Sequence, residues 1–119
     1  MSLFRKFLGK SKRTDFAEII HDEMAQELLR SGQLVAVHPF PVEFGGVEGP
    51  LNTAYIPPQA LEKFEVIIDR LRHLGESGEI DRLKIDQDYR GASIIPTRIY
   101  FIGSLGDEDQ LYNLKMDIW

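Results

Sequence analysis

The 119-residue chain contains no cysteine, which excludes disulfides, thiolate-bound zinc and a cysteine nucleophile. Only three histidines, His21, His38 and His73, are left as nitrogen ligands, so metal binding would have to rest on carboxylates. No apolar run approaches the roughly 20 residues that cross a bilayer, and Met1 to Arg13 lacks the apolar stretch and cleavage site of a signal peptide. A cytoplasmic location is therefore expected. Internal repeats and low-complexity stretches are absent as well. What is present, 43% hydrophobic and 28% charged residues, is the composition of a folded globular chain rather than of a disordered one.

Positive charge is scarce and unevenly spread. Arg5, Lys6, Lys10, Lys12 and Arg13 supply five of the 14 cations within residues 1–13, where no acid occurs. The remaining nine cations face all 19 acids, so residues 14–119 carry the whole negative balance of a chain whose net charge is −5. A body this acidic repels phosphate backbones, which excludes general nucleic-acid binding and suits a basic protein partner better.

Catalytic signatures are also missing. Gly45-Gly46 and Gly103-Ser104-Leu105-Gly106 have neither the Lys-Ser/Thr ending of a phosphate loop nor the three-glycine spacing of a dinucleotide site, and read as turns. No G-x-S-x-G elbow marks a hydrolytic serine. Glu18-x-x-His21 beside Asp22, and Asp69 with His73 four residues on, could each put two ligands on one helix face. Carboxylate-bridged bundles need the first pattern twice, and both pairs fit solvated helix surfaces. Asp86-x-Asp88-x-x-Gly91 matches three positions of a calcium loop, but Arg90 would put a cation in the ligand shell and Thr97 replaces the closing carboxylate. No metal, no cofactor and no catalytic residue is assigned.

Periodicity predicts the elements. Leu3, Phe4, Phe7 and Leu8 make one stripe of a short amphipathic helix, followed by a polar linker to Arg13. Asp15 with Glu18 three residues later opens a first long helix carrying Phe16, Ile19, Ile20, Met24 and Leu28, which ends at Ser31-Gly32. Leu34 to Val37 and Leu51 to Ile56 form a loose hairpin around a turn rich in glycine and proline. Pro57-Pro58 opens a second long helix with Leu61, Phe64, Ile67, Ile68, Leu71 and Leu74 as its apolar face, closing at Gly75. Three alternating strands follow, around Leu83 to Tyr89, Arg98 to Ile102 and Tyr112 to Ile118, with Gly103 to Asp109 as the last turn.

The expected fold is α+β, in the order α-α-β-β-α-β-β-β: an antiparallel sheet of four to five strands with two long helices packed on one face, plus the short N-terminal helix. Residues 1–13 form a basic amphipathic segment and residues 14–119 a single domain. Alternation leaves one sheet face open, and places Arg82, Lys84, Arg98, Tyr100, Lys115 and Trp119 on it. Arginine, tyrosine and tryptophan are enriched in binding hot spots, so these residues, with Leu3, Phe4, Phe7 and Leu8, are the candidate binding residues. The function that fits is a small intracellular acidic binding or regulatory protein acting through contact with another protein. A peripheral membrane protein held by the N-terminal stripe is the alternative, an enzyme of unknown type the third, and self-association is compatible with all of them.

Overall fold

A computed structural model describes residues 15–108 and 111–119. The N-terminal stripe of Leu3, Phe4, Phe7 and Leu8 lies outside the described residues. Asp15 starts a helical turn as its sequence suggests, its carboxylate accepting the Ala17 N–H at 3.0 Å, but only the 3₁₀ turn Phe16–Glu18 forms. The chain then extends through Ile19, and the helix proper, α1, is confined to Asp22–Arg30. The predicted first long helix is thus a turn and a nine-residue helix. The cause is tertiary. Ile94 N–H donates to the Ile19 carbonyl at 2.9 Å and the Ser93 hydroxyl to the Phe16 carbonyl at 2.6 Å. Carbonyls that would have continued a helix are engaged by a distant segment, and Ile19 is buried there.

Strands β1, Val35–Val37, and β2, Ala54–Ile56, pair antiparallel with Ala36 opposite Tyr55. Pro57 and Pro58 then stop β2, since neither has an N–H to give a ladder, and start a 3₁₀ turn that runs into α2, Leu61–Glu76. Strands β3, Arg82–Asp88, β4, Arg98–Ser104, and β5, Tyr112–Asp117, form a second antiparallel sheet in that order.

The architecture is α+β, but the single sheet of four to five strands is replaced by a two-stranded and a three-stranded sheet. Short β2 ends at two prolines, and the side chains of Tyr55, Gln87 and Tyr89 line a cleft where a β2–β3 ladder would have run. Nor do two helices share one face. Phe64, Ile68, Leu71 and Leu74 of α2 enter the main core with Val37 and Ile56 of the hairpin and Leu83, Ile99, Phe101 and Met116 of the larger sheet. The Phe64 and Phe101 rings lie 6.3 Å apart, tilted by 56°. α1 instead caps a smaller cluster of Ile19, Ala25, Leu34 and Ile95.

Gly103 belongs to β4 rather than to the turn assigned to it. A Cβ there would lie 3.0 Å from Ile80 Cδ1, so the missing side chain is what lets fully buried Ile80 lie against the sheet. No helix among the described residues is long and apolar enough to cross a membrane.

Candidate functional site

Antiparallel register decides which side chains become neighbours on the open face of the three-stranded sheet. Arg82 stands opposite Ser104. Lys84, Ile102 and Asn113 form the next row, Asp86, Tyr100 and Lys115 the third, and Asp88, Arg98 and Asp117 the fourth. Five of the six predicted sheet residues therefore share one surface, contributed by all three strands.

The lower two rows are tied together. Tyr100 donates its hydroxyl hydrogen to Asp88 Oδ2 at 2.6 Å and accepts from Arg98 Nη1 at 3.4 Å, while Arg98 Nε donates to Asp117 Oδ1 at 2.6 Å. Bonding to the Tyr100 hydroxyl, then to Asp117, holds the Arg98 proton more firmly than in a free arginine. These are exposed, ordinary cross-strand pairs, so they orient the side chains more than they stabilise the fold. Lys84 Nζ lies 3.6 Å from Asp86 Oδ2. Arg82 and Lys115 form no ion pair among the described residues. The face thus offers an aligned tyrosine, half-buried Ile102 and two uncommitted cations.

Trp119 is not on this surface. Its Nε1–H donates to the Ile95 carbonyl at 3.2 Å, its ring meets Phe16 edge-on at 5.9 Å, and the Arg90 guanidinium carbon lies 4.9 Å from the ring centre. Strand β5 ends at Asp117, so alternation no longer governs Trp119, and a large apolar ring gains more by closing the gap between the two hydrophobic clusters.

Of the carboxylate and histidine patterns, Asp69 and His73 do lie four residues apart on α2, with Asp69 engaged by Arg72 at 3.4 Å, whereas the first pattern disperses. Glu18 sits in the 3₁₀ turn whereas His21 precedes α1, so the two share no helix face. Asp86 and Asp88 lie two residues apart on β3, engaged by Lys84 and Tyr100 respectively. Among the described residues no group of three or more histidines and acids is placed to hold a metal ion.

A second surface feature joins residues that are far apart in sequence. The loop between β1 and β2 folds over one side of α2, leaving a cleft of about 560 Å³ with Phe40, Phe64 and Ile68 on its floor. The loop is held firmly. Asn52 accepts the Phe40 N–H at 2.9 Å, and its amide donates to the Phe40 carbonyl at 2.9 Å and to the Val47 carbonyl at 3.1 Å. Gly46 passes so close to residue 40 that an added Cβ would meet the Phe40 carbonyl oxygen at 1.9 Å. Arg72, which also lines the cleft, donates from its Nε to Glu43 of the loop at 2.9 Å. Sequence patterning missed this cleft, its one signal being Val42 and Val47, isolated apolar residues between prolines and glycines.

Compared with protein families, with characterised proteins and with solved structures, the chain matches none.

Proposed function

We propose that this protein acts by binding another protein through the open face of its three-stranded sheet, as a small acidic binding or regulatory protein of the cytoplasm. The observation that carries this reading is the alignment of Arg82, Lys84, Tyr100, Arg98 and Lys115 across three strands, with Tyr100 and Arg98 held in place by Asp88 and Asp117. Preorganised aromatic and arginine side chains lose little entropy on binding and are the usual anchors of an interface. With Lys84 beside Asp86 and Arg98 bonded to Asp117, the charges left to seek partners are Arg82 and Lys115. They call for acidic groups on the partner opposite the first row on β3 and the third row on β5. A chain with no cysteine needs no oxidising compartment, which agrees with the cytoplasm.

The test is to recover the partner with the full chain and to measure its affinity for face variants. Tyr100→Ala and the double variant Arg82→Glu/Lys115→Glu should each weaken binding, roughly thirtyfold for a hot-spot loss of ~2 kcal/mol. Glu27→Lys on α1 should change it little. A partner that binds all these chains equally would place the interface elsewhere and remove the sheet face from consideration.

A further inference from the structure

We infer that the cleft between the β1–β2 loop and α2 is a second docking site, and that it takes a basic segment of a partner protein bearing apolar anchor side chains. Three properties lead there. First, the floor is apolar, and at its lip Val42 and Val47 are each 75% exposed. Both sit on a loop fastened by Asn52 and by the close approach at Gly46, so their exposure is built in rather than a consequence of slack chain. A groove that is already formed spares an incoming segment much of the ordering cost of binding.

Second, the charges left unpaired on the walls are acidic. Glu48, Glu65 and Asp69 line the cleft, and among the described residues the one Lys or Arg there, Arg72, is committed to Glu43 at 2.9 Å and to Asp69 at 3.4 Å. Glu48 and Glu65 have no ion-pair or hydrogen-bond partner among the described residues, and so are available to lysine or arginine from outside. Third, among the described residues no buried polar group converges on the floor to orient a small molecule, whereas an apolar floor under an acidic rim matches a segment with apolar side chains on one side and cations on the other. Charge complementarity thus selects the occupant, and opposes the demand of the sheet face, which needs acids.

The probe is a fluorescent synthetic peptide of leucine and lysine at helical spacing, titrated against the full chain by anisotropy, with the leucine–glutamate peptide as counterpart. Saturable binding of the lysine peptide alone is expected. Glu48→Lys/Glu65→Lys should weaken it tenfold or more, and Val47→Asp comparably, whereas Glu23→Lys/Glu27→Lys, the same change of net charge on α1, should alter it less than twofold. The four glutamates are exposed, so circular dichroism of these variants should match that of the parent. Equal loss from the two double reversals would show attraction to the overall negative field and no site. Absence of saturable binding, or equal binding of the glutamate peptide, would also overturn the inference.

Discussion

At the scale of single residues, packing and register explain more than charge does. Phe64 lies 7% exposed and tilts against the fully buried ring of Phe101, joining α2 to the larger sheet. Phe64→Ala removes a ring that its rigid surroundings cannot replace, and is expected to cost about 3–5 kcal/mol, read as a lowered denaturant midpoint at unchanged slope. An unchanged midpoint would contradict the placement of this residue. Glu79 shows the smaller scale of surface electrostatics. Its carboxylate accepts from the Tyr112 hydroxyl at 2.8 Å and from the Ser77 hydroxyl at 2.9 Å, and these bonds, that of Tyr112 first, draw its pKa below the usual glutamate value of 4.5. A depressed folded pKa contributes stability above the unfolded value, and the contribution is lost as pH falls from 4.5 through the folded value. Tyr112→Phe is therefore expected to lower stability by a uniform amount at neutral pH and to flatten the acid limb, the difference from the parent shrinking as pH falls from 4.5 through the folded value. Chemical denaturation across the acid range measures it.

At the scale of elements, the contrast between α1 and α2 is one of attachment. α2 puts four buried side chains into the main core. α1 buries only Ala25 and is tied to β2 by polar bonds, with Tyr55 donating to Asp22 and accepting from Gln26, both at 3.1 Å. The segment leading into it hangs on Ser93, which is 4% exposed, donates to the Phe16 carbonyl at 2.6 Å and accepts the Ile95 N–H at 3.1 Å. Ser93→Ala leaves both groups without that partner in a largely dry site, at a cost of about 1–3 kcal/mol. The expected signature in hydrogen exchange is local: the Ile94 amide, which donates to Ile19, should lose protection before the amides of β4. Equal loss throughout would mean that the α1 region and the larger sheet open as one unit.

At the scale of the whole molecule, the two proposed binding surfaces differ in the charge they leave unpaired. The open sheet face gathers four of the nine cations that lie beyond residue 13, whereas the cleft over α2 carries Glu48, Glu65 and Asp69. If both proposals hold, an acidic patch and a basic segment would be bound at once, and a chain altered on one surface should keep its affinity at the other. The division of the strands into two sheets makes this arrangement possible, because a hairpin not stitched to β3 can carry its long loop across α2.

Periodicity alone determined the strand and helix content of much of this protein. Phe64, Ile68, Leu71 and Leu74 recur at helical spacing and are buried together, and the period-two alternation from Arg82 onward separates the open face from the core side of the sheet. Such patterns are local, since the same three or four neighbours decide both the spacing and the face. Tertiary structure decided the rest. A capping residue at Asp15 could not show that Ser93 and Ile94 would take the carbonyls of Phe16 and Ile19, and alternation through Ile118 could not show that Trp119 turns away to bridge two clusters. Nor could any window of sequence bring Val47 and Glu48 beside Glu65 and Asp69, because that neighbourhood exists only once the loop, closed on itself by Asn52 and tied to α2 by Glu43 and Arg72, lies over the helix.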